Sequence, residues 1–110
     1  MNDIDLIDIL GIYRKEQFEL VNKMNAREFH YFIESILEKH GDLEREVPVK
    51  NRGDGRSGRI DLVFTYKGIK YPIELDRKSA RYKSIYKIRE YSKNGGFVIT
   101  RDPFSVIHYF

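Results

Sequence analysis

The chain has no cysteine. That excludes a disulfide framework and a thiolate metal site, and it fits a reducing, cytoplasmic setting. No apolar run approaches the roughly 20 residues of a membrane span. The opening MNDIDLID is acidic where a secretion signal would be basic, so no membrane association is expected. His30, His40 and His108 fall at no ligand spacing, which argues against a zinc site and against histidine catalysis. Internal repeats, linkers and low-complexity segments are also missing. With 110 residues, the chain has length for one domain with a modest core.

The charge is unevenly spread. Residues 1 to 44 hold five Lys/Arg (Arg14, Lys15, Lys23, Arg27, Lys39) against ten Asp/Glu, net −5, which leaves residues 45 to 110 at +8 within an overall +3. A basic half of this kind suits a polyanion, and nucleic acid is the commonest one.

Helical spacing marks the first 40 residues. Leu6, Ile9, Leu10, Tyr13, Phe18, Leu20 and Val21 recur at helical intervals within Ile4 to Met24, with Gly11 placed to divide the segment into two short helices. A second region, Ala26 to Lys39, carries the stripe Phe29, Phe32, Ile33, Ile36 and Leu37, with Asn25 as its N-cap and His40-Gly41 as its end. Glu28 shares the edge of that stripe. It is either a third carboxylate for a site on the surface the helix covers, or a first-turn acid suited to the helix dipole; Glu34 lies off the stripe. Glu44 to Val49 reads as a short strand containing a proline. After it, Lys50 to Gly58 forms a basic, glycine-rich loop whose arginines, Arg52 and Arg56, are candidate phosphate contacts.

The centre of the chain is Gly58 to Lys78, GRIDLVFTYKGIKYPIELDRK. Arg59 to Tyr66 and Ile69 to Asp76 are rich in β-branched and aromatic residues, and Lys67-Gly68 between them makes a two-residue hairpin loop. That loop sets a register in which paired positions sum to 135, so Asp61 faces Glu74 and Arg59 faces Asp76. Carboxylates opposed on one sheet face lie about 5 Å apart and repel each other. Either a divalent cation or basic side chains such as Arg59 must offset them. Mg²⁺ takes carboxylate oxygens while keeping several waters, and Mn²⁺ can substitute for it, so an Asp and a Glu converging on one point suit phosphodiester chemistry.

Beyond the hairpin, Lys83 to Ser92 reads as a helix. Ile85, Ile88 and Tyr91 or Tyr86 are expected to face the sheet, and Lys83, Lys87 and Arg89 to face outward. Asn94-Gly95-Gly96 ends it, and Phe97 to Thr100 is a strand in a parallel crossover from the second hairpin strand. Pro103 to Phe110 adds a short helix or an edge strand. The expected fold is α/β (α+β): a mixed central sheet with an antiparallel hairpin, flanked by helices.

A helix, a short strand, a hairpin with Asp on one strand and hydrophobic-Glu-hydrophobic-polar on the next, then a helix ending at Gly-Gly and a further strand: this order resembles the PD-(D/E)xK nuclease superfamily. The likeness is greatest to its small Holliday-junction resolvases and VRR-type domains. It covers about Ala26 to Thr100, a core of residues 26 to 100, and leaves residues 1 to 25 as a helical extension within one domain, 1 to 110.

The resemblance implies a restriction-endonuclease-like core and Mg²⁺-dependent hydrolysis of DNA in repair, recombination or phage DNA processing, with 5′-phosphate and 3′-hydroxyl products. Asp61 matches the first motif's metal-binding Asp and Glu74 the second motif's acid, with the Leu75 carbonyl as a further metal ligand and Glu28 as a possible addition. The family's Lys falls at Asp76, which makes the second motif Glu-x-Asp. Asp76 then becomes a metal ligand or general base, and Lys78 or Arg77 reaches the scissile phosphate. Arg52, Arg56, Arg59, Arg81 and Lys83 are the backbone contacts. RNA stands as an alternative substrate, and a homodimer would be needed to cut both strands symmetrically. Two other readings stay open at this point: a non-cutting nucleic-acid-binding module of the same fold, with Asp76 locked in a salt bridge to Arg59 or Lys78, and a phage or mobile-element interaction protein that uses its tyrosines and aromatic tail.

Overall fold

The computed structural model describes all 110 residues, Met1–Phe110. Three helices come first, α1 (Asp3–Leu10), α2 (Lys15–Asn22) and α3 (Ala26–Leu37). Gly11 divides the first two as its position suggested: at φ 67 it takes the left-handed conformation that ends α1, and its N–H returns to the Ile7 carbonyl. Asn25 caps α3, accepting from the Glu28 N–H at 2.8 Å while Glu28 accepts from the Asn25 N–H at 3.0 Å.

Five strands and a fourth helix follow: β1 (Asp42–Val49), β2 (Gly58–Tyr66), β3 (Ile69–Asp76), α4 (Tyr82–Tyr91), β4 (Gly96–Arg101) and β5 (Phe104–Tyr109). They form one mixed sheet in the order β1-β2-β3-β4-β5. Every neighbouring pair is antiparallel except β3 and β4, which run parallel across the α4 crossover. The chain is therefore α+β with a mixed central sheet. The hairpin register is the expected one, from Tyr66↔Ile69 to Leu62↔Ile73. Lys67 and Gly68 both have positive φ, 51 and 80, as the favoured two-residue hairpin turn requires. The tail resolves to an edge strand, β5.

Alternation along β2 and β3 sends residues to two different layers. Leu62, Phe64, Tyr71, Ile73 and Leu75 join Phe97 and Ile99 of β4 on one face, where α1, α2 and α3 contribute Leu6, Leu10, Val21, Phe29, Ile33 and Leu37 to the same core. Within residues 1 to 25, Leu6, Leu10, Ile12 and Val21 are thus buried against the sheet together with α3, while Ile4, Tyr13, Phe18 and Leu20 stay exposed. Glu74 and Asp76 point to the other face, which α4 covers. No helix is long and apolar enough to cross a membrane.

Candidate active site

The candidate site lies where β2 leaves its neighbours. β2 pairs with β1 on both sides of Asp61, at Val47↔Ile60 and Arg45↔Leu62, and with β3 only from Leu62 onward. Asp61 pairs with neither strand. The β1 residue between those two pairs, Glu46, turns to φ 52, a conformation that side chains with a Cβ rarely adopt. Side chains replace the ladder at this fork. The Asp61 N–H donates to Glu74 Oε2 at 2.9 Å, and the Leu75 N–H donates to Asp61 Oδ2 at 2.8 Å. Each carboxylate therefore satisfies the backbone of the strand opposite, and the expected Asp61–Glu74 encounter takes this reciprocal form.

Glu74 is fully buried. Lys87 of α4 reaches down to it, its Nζ pairing with Glu74 Oε1 and donating to the Arg59 carbonyl at 2.9 Å. Burial and the Asp61 charge push the Glu74 carboxyl up to about 8, against the pull of the Lys87 ammonium. Lys87 is the one ammonium paired with this carboxylate couple, and it pairs with Glu74. Asp61 and the main chain of Leu75 line the cleft and are hard oxygen donors of the kind Mg²⁺ or Mn²⁺ takes. Both Glu74 oxygens are engaged, Oε1 by Lys87 and Oε2 by the Asp61 N–H, so Glu74 would join such a donor set by exchanging one of those partners for the ion. No third carboxylate or imidazole joins them.

Asp76 does not join the pair. Its carboxylate accepts from the Arg81 N–H (3.0 Å) and Arg81 Nε (3.0 Å) and from Ser84 Oγ (3.1 Å), so both oxygens are committed to the start of α4. The lock on Asp76 is Arg81, whereas Arg59 and Lys78 were the candidates. The strands have already parted where Arg59 would face Asp76. Lys78 is exposed in the turn after β3 and makes no ion pair. Glu28 is spent on the N-cap of α3, the helix-terminus role, and brings no third carboxylate to the fork.

Asp61 opens onto a cleft of about 330 Å³ between the N-terminal ends of α3 and α4, lined also by His30, Leu75, Asp76, Arg77, Arg81 and Arg101. Arg101 donates from Nε to the Met24 carbonyl at 3.1 Å, and Arg77 lies 3.9 Å from Asp102. Of the proposed backbone contacts, Arg81 alone lines this cleft. Arg52 is paired with Asp54 at 3.1 Å, which holds the Asp54 carboxyl down at about 2, and Lys83 lies 4.0 Å from the same carboxylate. Arg56 donates its N–H to Asp54 at 3.0 Å, and the Arg59 side chain is exposed. The glycine-rich loop is folded on itself: Asn51 Oδ1 accepts from the Gly53 and Gly55 N–H groups at 2.8 and 3.1 Å.

Sequence reading missed Lys87, His30 and Arg101. The apolar spacing of α4 turns Lys87 outward, yet the buried residues of the helix are Ser84 and Ile88, on the face that Lys87 shares. Ser84, Lys87, Ile88 and Tyr91 share one helical face, and a serine at the first of these positions was the available sign that the face meets something polar. His30 and Arg101 reach the cleft through tertiary packing that no local pattern announces. No family model matches this chain, and no curated protein matches it significantly in sequence.

Proposed function

We propose that this protein is a metal-dependent nuclease that hydrolyses DNA phosphodiester bonds in the cytoplasm, with a PD-(D/E)xK-like site in which Lys87 stands where the hairpin lysine is lacking. The observation that carries the reading is the strand fork. Glu74 accepts from the Asp61 N–H and Asp61 from the Leu75 N–H, an ammonium sits on the buried Glu74, and Asp61 stands at the mouth of an arginine-lined cleft. A purely structural sheet has no reason to open its ladder and set a buried carboxylate beside a second one at the same point.

Asp61, Glu74 and the Leu75 carbonyl would hold Mg²⁺. When bound, that ion lowers the pKa of a water and neutralises charge on the phosphoryl group. The chain's own residues supply the rest. Lys87 orients Glu74 and favours its ionised form against burial and the Asp61 charge, while Arg77 and Arg101 draw the phosphate into the cleft. Arg81, held by Asp76, fixes the N-terminus of α4 beside them.

The test is cleavage of labelled linear duplex, flap and four-way-junction DNA with Mg²⁺ or Mn²⁺, by the wild type, Glu74→Ala and Lys87→Met. Cutting by the wild type alone supports the reading. If no substrate is cut and neither metal raises the melting temperature, the reading fails. The full commitment of Asp76 to Arg81 and Ser84 favours one rival, a module of the same fold that binds nucleic acid without cutting it; binding without metal-dependent cleavage would select that rival.

A further inference from the structure

α4 turns a second face away from the carboxylates. Tyr82 and Tyr86 stand one helical turn apart on it, ring centroids 6.1 Å apart and tilted by 42°. With Ile85, Arg89, Glu90 and Tyr109 they line an open cleft of about 560 Å³. Tyr82 is 69% exposed, so most of its ring is free to take a partner.

The pair is held from one side. Gly53, at φ +112, passes so close beneath that a Cβ there would lie 3.1 Å from Tyr82 Cε1 and 3.3 Å from Tyr86 Cγ. The Asn51 and Arg52–Asp54 contacts hold the loop in that shape, and Lys83 at 4.0 Å from Asp54 ties it to α4. The glycine-rich loop thus serves as a support for the two tyrosines. Their other faces stay open, and ordering the rings in advance removes part of the entropy cost of binding a flat partner.

Charge indicates the partner. Arg89 lines the cleft, and the Lys83 side chain is 53% exposed beside it. Glu90 is the single acid among the lining residues, and the half of the chain that carries this face is strongly basic. Aromatic rings interleaved with cations match bases and phosphates alternating along a strand, and only an unpaired strand offers its base faces.

We propose that this face of α4 binds single-stranded nucleic acid, with bases stacked on Tyr82 and Tyr86 and phosphates met by Arg89 and Lys83. Arg81, next to Tyr82, already lines the cleft of Asp61, so a strand stacked on α4 leads toward the carboxylates. That last step rests on the nuclease reading; the binding itself does not.

The experiment is fluorescence anisotropy with labelled 15-nucleotide dT and U oligomers and a 15-base-pair duplex, in EDTA so that no cleavage intervenes. The wild type should prefer one or both single strands. Tyr82→Ala and Tyr86→Ala should each weaken that binding by roughly tenfold, in line with the loss of one stacked base, with unchanged melting temperature. Tyr82→Phe should bind as the wild type does. Tighter binding to dT than to U, or the reverse, tells which nucleic acid is the ligand. A tyrosine-independent affinity, a preference for the duplex, or no binding at low salt overturns the proposal. Tyrosine-dependent binding here, with no cleavage of any substrate in the separate Mg²⁺ and Mn²⁺ assay, would leave this surface standing and remove the nuclease reading, while cleavage in that assay with tyrosine-independent binding here would do the opposite.

Discussion

Lys87 and Glu74 form the tightest electrostatic dependence in the molecule, because the glutamate is fully buried and the lysine nearly so. Removing one member of a buried pair leaves the other without compensation, at a cost of roughly 3 to 5 kcal/mol. Glu74 has an escape, since it can take up a proton. Its carboxyl sits at about 8 in the fold, above the ordinary 4.5. A raised carboxyl favours the folded state in its protonated form: that contribution is complete below the ordinary value and is lost as pH rises through the folded one. Lys87→Met should therefore cost about 3 kcal/mol at pH 9 and roughly 1 kcal/mol at pH 6, as read from urea melts. The wild-type melting temperature should fall between pH 6 and 9, and Glu74→Gln, neutral throughout, should flatten that fall. An equal loss for Lys87→Met at both pH values would mean that Glu74 is ionised in the fold at pH 6 as well.

The fork in the sheet shows what is legible at the scale of an element. The hairpin could be read in advance because a two-residue turn fixes every pair above it, and the alternation of Leu62, Phe64, Ile73 and Leu75 leaves one face for the core. The departure from the ladder at Asp61 could not, since it depends on β1 twisting at Glu46 and on carboxylates replacing main-chain partners. α4 was misread for a related reason. Its inward face is partly polar because it meets Glu74 and Asp76, so a search for an apolar stripe turned Lys87 to solvent. Glu28 shows the reverse case, where capping chemistry written in the local sequence outranked a role in the site. The strain at Glu46 belongs to this scale as well. Glu46→Val, β-branched in a left-handed conformation, should destabilise the fold by about 2 kcal/mol, whereas Glu46→Gly should be near neutral because relief of strain offsets the entropy of glycine. Chemical denaturation of both variants checks this. Equal tolerance of Val and Gly would show that β1 can straighten without disturbing Asp61.

Over the whole molecule, the acidic and basic halves of the sequence do not separate into acidic and basic bodies. Residues 1 to 25 supply Leu6, Leu10 and Val21 to the same core as β2 to β4, and Met1 donates its amino group to the Tyr71 hydroxyl at 2.9 Å. Some of the acidic charge is used internally, Glu34 on Arg45 at 2.9 Å and Glu28 on its own helix cap. Basic side chains also gather around α4 and the cleft: Lys83 and Arg89 on the tyrosine face, Arg77 and Arg101 beside Asp61, with Lys83, Arg77 and Arg101 each keeping one partner, Asp54, Asp102 and the Met24 carbonyl. A strand that runs from one region to the other would meet about five cations, counting Arg81. Counterion release then sets the salt dependence, with log K falling against log salt at about −0.7 per phosphate neutralised on a single strand, so the expected slope is about −3.5. Arg89→Gln and Arg101→Gln should each make the slope shallower by about 0.7, and the double variant by about twice that, because the two sites lie on opposite sides of α4 and act independently. Titrations of a labelled dT oligomer between 50 and 300 mM salt, in EDTA, measure all four slopes. A wild-type slope shallower than about −1 would mean that the strand engages one region only, and the separate effects of the two substitutions would identify which.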